Sequence, residues 1–215
     1  MGYKYYLFDL DGTLTDPAQG ITNSIMYAVR KMGDVPPERS RLYKYIGPPL
    51  RNSFEDMGYI GESADRALAY YREYYEVKGM FENSVYPGME DTLMRLKAAG
   101  GTLCVATSKP EKYAKIIIEE FGLGKYFHLV AGSTFDETRL TKDQVIKYAL
   151  TELGISNLSS VIMIGDRKFD ILGGHACGVK AAGVLYGYGS RRELEEAGAD
   201  AVIETVEDIA CLAQE

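Results

Sequence analysis

Several residue types are scarce in this chain of 215 residues, and each scarcity excludes a class of protein. There is no tryptophan, and there are only two histidines and three cysteines. The cysteines, Cys104, Cys177 and Cys211, are too widely spaced to indicate a disulfide framework or a zinc site. We therefore expect reduced thiols and a cytoplasmic protein. Two histidines leave few candidates for a histidine-based triad or a multi-histidine metal site.

Positive charge and long apolar runs are limited as well. The chain has 24 basic and 31 acidic residues, for a net charge of −7, which argues against a nucleic-acid binder with a broad basic surface. A small anionic ligand needs only a local site. No stretch approaches the roughly 18 consecutive apolar residues of a membrane helix, and the N-terminus lacks the layout of a signal peptide. We expect a monomer or homodimer whose partner is a small molecule rather than nucleic acid or a membrane.

Short apolar runs alternate with helical patterns from about Val85 onward. Residues 5–8, 102–106 and 161–164 are typical of buried parallel strands, and residues 89–99 repeat with helical spacing. Alternating strands and helices predict an α/β fold, a Rossmann-like parallel sheet with helices on both faces.

One long region breaks this alternation. Between Asp16 and about Asn83 there is no convincing strand, and apolar residues follow helical spacing over about four helices. The pattern predicts a helical domain over residues 16–85, inserted into a core domain of residues 1–15 and 86–215. The alternative is that these helices are extra packing on a single domain.

The most specific motif ends the first apolar run. Asp9 and Asp11 stand two residues apart, and Gly12 and Thr13 follow at once. Residues at this spacing point the same way in an extended chain, and two adjacent anions are costly unless a cation offsets them. A solvated turn is the plainer interpretation of these residues taken alone, since Asp, Gly and Thr are common in turns.

Two further carboxylates follow the run at residues 161–164. Asp166 and Asp170 stand there at a spacing of four, although a turn with a helix cap gives the same letters. Because parallel strands end at one edge of the sheet, Asp9, Asp11, Asp166 and Asp170 can converge. Hard oxygen ligands suit Mg2+ better than Zn2+.

Hydroxyl groups and a lysine indicate a place for an anion. Thr107 and Ser108 end a strand and open a helix, where phosphate can bind, although plain helix capping is the better explanation of these residues taken alone. Lys142 stands at the start of another helix, where a cation is unfavourable unless it neutralises a bound anion. Arg139 and Lys147 are possible substitutes for it.

Taken in order, these motifs resemble those of the haloacid-dehalogenase-like hydrolases, in the branch of phosphoglycolate-phosphatase-like enzymes with a helical cap. The resemblance covers nearly the whole chain and also includes residues 46–50, 86–88 and 183–189. It implies a Mg2+-dependent phosphatase with an aspartyl-phosphate intermediate. It assigns the nucleophile to Asp9, the general acid and base to Asp11, phosphate binding to Gly12, Thr13, Thr107, Ser108 and Lys142, and metal binding to Asp9, the Asp11 carbonyl, Asp166 and Asp170.

The expected substrate is a small phosphorylated metabolite, either phosphoglycolate-like or a nucleoside monophosphate, as for a 5'-nucleotidase. Arg51 in the cap could bind a carboxylate or second phosphate of the substrate, and a surface arginine is the plainer interpretation. The alternatives are a sugar-phosphate mutase on the same scaffold and a receiver-type phospho-acceptor domain. The helical insert and the Asp9-x-Asp11 pair argue against a receiver, which needs neither.

Overall fold

The computed structural model describes residues 2–136 and 138–213. The chain forms two compact units, one of Met1–Thr15 with Val85–Glu215 and one of Asp16–Ser84. They are called here the core unit and the helical unit. Among the described residues, no helix has the length and apolar character needed to cross a membrane.

The core unit is built on a six-stranded sheet in the order β5-β4-β1-β6-β7-β8, and every neighbouring pair is parallel. Its strands are β1 (Tyr5–Phe8), β4 (Thr102–Pro110), β5 (Leu129–Ser133), β6 (Val161–Gly165), β7 (Lys180–Val184) and β8 (Ala201–Ile203). The apolar runs form parallel strands because their residues are buried on both faces. Tyr6, Leu7 and Phe8 of β1 point alternately to opposite faces, and each is at most 1% exposed.

Helices connect these strands and cover the sheet. They are α4 (Met89–Ala98), α5 (Glu111–Glu120), α6 (Lys142–Glu152), α7 (Lys168–Ala176) and α8 (Arg191–Glu196). An apolar cluster joins Leu7 and Met163 of the sheet to Val145 of α6 and Ile171 of α7, all fully buried. The predicted α/β fold with a Rossmann-like parallel sheet is confirmed.

The helical unit contains α1 (Ala18–Lys31), α2 (Leu50–Asp56) and α3 (Glu62–Tyr74), with a 3-10 turn at Arg39–Tyr45 and a π-helical turn at Tyr75–Gly79. Its core includes Ile25, Phe54 and Ala67, which are fully buried. Gly20 lets α1 approach the π-helical turn closely, since a Cβ atom there would lie 1.8 Å from the carbonyl oxygen of Gly79.

Two short strands, β2 (Thr15–Asp16) and β3 (Ser84–Val85), pair where the chain passes between the units. The sequence predicts no strand from Asp16 to Asn83. This prediction is wrong at Asp16, which belongs to β2. Two-residue strands are too short to carry a periodic apolar pattern, which explains why β2 and β3 were not predicted.

Candidate active site

The candidate site lies where the chain leaves the middle of the core sheet. β1 lies between β4 and β6, and the sheet order runs from β1 to β4 and β5 on one side and to β6, β7 and β8 on the other. Ligands bind outside the carboxyl ends of parallel strands at such a reversal of strand order. Asp9 follows β1, Asp166 follows β6, and Thr107 lies in the last part of β4. Strand topology thus brings the motifs to one edge.

Three of the predicted metal ligands form a tight cluster. One carboxylate oxygen from each of Asp9, Asp166 and Asp170 lies within 4.8 Å of the other two, and all three residues are buried. Within the described part of the chain, Asp166 Oδ1 has no hydrogen-bond partner. Burial, with the nearby charges of Asp170 and Asp9, raises the pKa of Asp166 well above its usual value. Such clustered anions are stable only with a cation or a proton among them.

The other oxygen of Asp166 is held by the loop that follows β7. The Tyr188 backbone N–H donates to Asp166 Oδ2 at 2.7 Å. Gly12 permits this packing: its φ is +84°, and a Cβ atom there would lie 2.3 Å from Asp166 Oδ2. The glycine of the first motif therefore provides both a left-handed turn and space for a carboxylate.

Lys142 joins two of the clustered carboxylates. Its Nζ lies 2.8 Å from Asp9 Oδ1 and 2.7 Å from Asp170 Oδ1, and it donates to the Ala106 carbonyl at 3.1 Å. The contacts to the two carboxylates are ion pairs without the alignment of hydrogen bonds, so Asp9 Oδ1 and Asp170 Oδ1 retain acceptor capacity. Burial lowers the pKa of Lys142, but the charges of Asp170 and Asp9 outweigh it and raise the pKa overall.

The two substitutes considered for Lys142 lie elsewhere. Lys147 forms an exposed ion pair with Asp143, one turn back on α6. Arg139 pairs with Glu111 and stacks over the ring of Tyr148, with its guanidinium carbon 3.7 Å from the ring centroid. Of the three cations, Lys142 is the one that contacts the carboxylate cluster.

Asp170 also fixes the start of α7. Its Oδ2 accepts the Arg167 backbone N–H at 3.0 Å, and burial raises its pKa even though Lys142 opposes the shift. Arg167 Nε donates to Glu193 Oε1 at 2.9 Å, and Lys168 is exposed on α7. The structure thus places Asp170 in the cluster and pairs the guanidinium group of Arg167 with Glu193.

Asp11 lies outside the three-carboxylate cluster because its side chain is engaged by Lys109. The ammonium group of Lys109 lies 2.8 Å from Asp11 Oδ1 and 2.7 Å from Asp11 Oδ2. Burial raises the pKa of Asp11, and the charge of Lys109 opposes this shift. The sequence analysis gave no role to Lys109. The available signal was its position, since it follows Thr107 and Ser108 directly at a strand end.

The hydroxyl residues of the first two motifs lie on the segment that follows β1 and in the last part of β4. Thr107 is buried, and its Oγ1 accepts the Lys109 backbone N–H at 3.2 Å, whereas Ser108 is half-buried. Thr13 is fully buried, and its carbonyl accepts a hydrogen bond from the Tyr186 hydroxyl at 2.9 Å. Thr107 and Thr13 therefore brace the backbone next to the charged residues.

Arg51 lies in the helical unit, on α2. Its guanidinium group pairs with Asp65 and lies 3.9 Å from Glu55. The unit has a cavity of about 660 Å3, whose lining includes Asp16, Gln19 and Arg39 but not Arg51. Arg39, which the sequence analysis did not single out, donates to Thr22 and Asn23.

The donor set of the core unit fits a magnesium ion. Asp9, Asp166 and Asp170 offer carboxylate oxygens in one buried place, and one oxygen of each accepts no hydrogen bond from the described residues. Mg2+ prefers carboxylate ligands of this kind, whereas Zn2+ prefers nitrogen and sulfur. The cluster can therefore hold a hard divalent cation beside the side chain of Asp9.

Comparison with known proteins shows which family this sequence matches. Residues 6–184 match the family described as haloacid dehalogenase-like hydrolase. A 5'-nucleotidase of Pseudomonas aeruginosa is 42% identical over 193 residues, covering 89% of this chain and 87% of that protein. Tyrosine-protein kinase PtkA of Mycobacterium tuberculosis is 39% identical over 183 residues, covering 85% of this chain and 62% of the kinase.

A solved structure is similar to this chain over nearly its whole length. The crystal structure of a predicted phosphatase from Clostridium acetobutylicum superposes with a TM-score of 0.93 at 45% identity, covering 98% of each chain. The family match spans the strands that carry Asp9, Thr107 and Asp166 and ends at the last residue of β7. The chain therefore belongs to the haloacid dehalogenase-like hydrolases, as its motifs predicted.

Proposed function

We propose that this protein is a Mg2+-dependent phosphatase that hydrolyses a small phosphorylated metabolite through an aspartyl-phosphate intermediate. The reaction class is phosphoric monoester hydrolysis. The observation that carries the finer proposal is the buried cluster of Asp9, Asp166 and Asp170 beside Lys142, at the carboxyl edge of the neighbouring strands β1 and β6.

The charges at this edge support a divalent cation. Asp9, Asp11, Asp166 and Asp170 contribute four negative charges when ionised, whereas Lys109 and Lys142 contribute two positive charges. The two uncompensated negative charges match one Mg2+ ion, which would be held by Asp9, Asp166, Asp170 and the Asp11 carbonyl. When bound, the ion would neutralise the phosphoryl oxygens and so favour attack by an anionic nucleophile.

Asp9 is the proposed nucleophile. Its carboxylate attacks phosphorus, so that an O–P bond to Asp9 forms as the bond to the leaving oxygen breaks. Asp11 donates its proton to that oxygen and later removes one from the water that hydrolyses the intermediate. Thr107, the Ser108 backbone N–H and Lys142 are proposed to bind phosphoryl oxygens, as are Gly12 and Thr13 of the first loop.

The test is an Asp9→Asn variant assayed with p-nitrophenyl phosphate and Mg2+. We expect turnover to fall by about 10⁴-fold or more, because the nucleophile of the first step is lost. In the unaltered protein, rapid quenching followed by mass spectrometry should detect one phosphoryl group on the peptide that contains Asp9. Removal of Mg2+ with a chelator should abolish turnover, and adding Mg2+ back should restore it.

A matched control is Asp91→Asn, which changes an exposed aspartate of the core unit on α4 and should leave turnover unchanged. Equal activity of Asp9→Asn and Asp91→Asn would overturn the proposed nucleophile. Release of inorganic phosphate separates a phosphatase from the alternative, a sugar-phosphate mutase, which yields an isomerised sugar phosphate.

For the substrate we propose either a nucleoside monophosphate or a phosphoglycolate-like acid, with selectivity supplied by the helical unit. The relative named 5'-nucleotidase supports the first class. The cavity of the helical unit includes the carboxylates of Asp16 and Glu82 and the guanidinium group of Arg39. Comparing kcat/KM for a nucleoside monophosphate and phosphoglycolate at equal Mg2+ decides between them.

A further inference from the structure

The ion pair between Lys109 and Asp11 is a charged contact at the site to which the proposed phosphatase mechanism assigns no step. Both side chains are nearly buried, with 6% of Lys109 and 12% of Asp11 exposed. Burying two charges costs more than a surface ion pair recovers, so a pair of this kind needs good geometry to persist. Here both oxygens of one carboxylate contact one ammonium group, at 2.8 and 2.7 Å.

The backbone that carries Lys109 is itself held in place. The pairing of β4 with β5 shifts register between Ala106 and Pro110, so the strand departs from regular geometry at this point. Within the irregular segment, Thr107 Oγ1 accepts the backbone N–H of Lys109 at 3.2 Å. The position of the lysine is thus set by its own strand and not only by Asp11.

We propose that Lys109 is a positioning residue for Asp11: its ammonium group fixes the carboxyl group that passes a proton to the leaving oxygen. This inference rests on the proposed function, in which Asp11 is the general acid and base. A proton-transfer group must lie within hydrogen-bond reach of the atom it serves, and small displacements are costly. Lys109 would restrict the rotation of Asp11 about its side-chain bonds through contacts to both of its oxygens.

The leaving group provides a test that a merely structural role would not pass. An alkyl phosphate expels a strongly basic alkoxide that needs a proton, whereas p-nitrophenyl phosphate expels a stable phenolate that does not. The quantity to measure is kcat/KM, because it reports the steps up to departure of the leaving group. Its ratio between two esters in one preparation is independent of the fraction of active protein.

We expect Lys109→Met to lower kcat/KM for an alkyl ester, such as glycerol phosphate, by about 10²-fold, the usual contribution of a general acid. For p-nitrophenyl phosphate the same variant should lose less than about threefold, because that ester needs no acid. Lys109→Gln, which is also uncharged, should show the same selective loss and replaces the first variant if that one folds poorly. The matched control is Lys112→Met, an exposed lysine at the start of α5, which should leave the ratio unchanged.

Three outcomes would overturn the inference. Equal losses for the two esters indicate that Lys109 supports the fold or the phosphoryl group rather than the acid. Unchanged activity with both esters means that the ion pair has no role in turnover. An altered ratio in Lys112→Met would show that the ratio does not report on Asp11.

The proposed function fails separately from this inference. If Asp9→Asn remains active, the mechanism is wrong whatever Lys109 does. If Asp11→Asn lowers kcat/KM equally for both esters, Asp11 is not the acid. If those two variants behave as expected but Lys109→Met keeps the normal ratio, the role of Lys109 alone is wrong.

Discussion

Buried charged side chains occur in the core unit of this protein but not in its helical unit. In the core unit, Lys142 and Asp170 form an ion pair in which 5% and 1% of the side chains are exposed. In the helical unit, Lys44 and Asp56 are equally close, at 2.7 Å, but remain 63% and 57% exposed. No charged residue from Asp16 to Ser84 is buried. Distance alone therefore does not separate a functional ion pair from a surface contact.

Desolvation explains why this difference matters. An exposed pair keeps most of its hydration and contributes about 0–1 kcal/mol to stability. A buried charge loses its hydration and depends on its partners, so removal of one partner leaves the other uncompensated. Four buried carboxylates at one sheet edge would be a poor way to stabilise a fold. Their cost is explained by the proposed binding of a metal ion and a phosphate at this edge.

The largest expected effect on stability comes from removing the lysine at the centre of the buried cluster. In metal-free buffer, Lys142→Met should lower the free energy of unfolding by about 3–5 kcal/mol, because Asp9 and Asp170 lose their shared cation. Turnover with p-nitrophenyl phosphate should fall by about 10³-fold or more, since Lys142 also balances the charge of the phosphoryl group. Urea unfolding and steady-state kinetics measure the two effects.

Lys44→Met is the control from the helical unit. It removes an ion pair of the same length, so it should change the free energy of unfolding by less than about 1 kcal/mol and leave kcat/KM unaltered. Equal destabilisation by Lys142→Met and Lys44→Met would mean that burial does not determine how much an ion pair contributes to stability.

An intermediate effect is expected from Asp166, whose Oδ1 has neither a hydrogen bond nor an ion pair among the described residues. At a Mg2+ concentration about 100 times the dissociation constant, the unaltered protein should gain about 2.7 kcal/mol of stability. Asp166→Asn should lose most of this gain, because it removes one of three clustered ligands. In metal-free buffer the variant should be at least as stable as the unaltered protein, since a buried charge disappears. Urea unfolding with and without Mg2+ checks both statements, and an undiminished Mg2+ effect would exclude Asp166 as a ligand.

The carboxylates were predictable from sequence because each follows an apolar run. Parallel strands end at a common edge, so Asp9 after β1 and Asp166 after β6 had to lie near one another once the fold was assigned. Asp170 then followed from its place in the first turn of α7. Periodicity and motif order are sufficient for such residues, although their catalytic roles remain predictions.

Other parts of the candidate site depend on structure that has no periodic pattern. Lys109 reaches Asp11 from the irregular end of β4, and no spacing in the sequence indicates that contact. Tyr188 acts on Asp166 through its backbone N–H, which any residue except proline could supply. Arg39 lies in a 3-10 turn, where the short repeat gives little signal. Interactions of this kind become visible only when the loops are placed in three dimensions.

The smallest expected effect concerns a surface ion pair of the core unit. It tests whether burial, rather than location in the core unit, makes a charged residue sensitive to substitution. Asp200 belongs to the core unit, but its ion pair with Lys180 at 2.6 Å and its hydrogen bond with His175 at 2.9 Å lie at the surface. Partial burial raises the pKa of Asp200, but the hydrogen bonds from Lys180 and His175 outweigh it and lower the pKa from 3.8 to about 2.

Because the pKa of Asp200 is lowered in the folded state, its ionised form stabilises the fold at pH values above its ordinary pKa of 3.8. This stabilisation is lost as the pH falls through about 2. At pH 7, Asp200→Asn should therefore reduce the free energy of unfolding by only about 1 kcal/mol, because solvent screens the pair. The difference from the unaltered protein should shrink as the pH falls below about 4, as measured by urea unfolding across that range. A loss of stability as large as that of Lys142→Met would mean that any charged residue of the core unit is sensitive to substitution, whether or not it is buried.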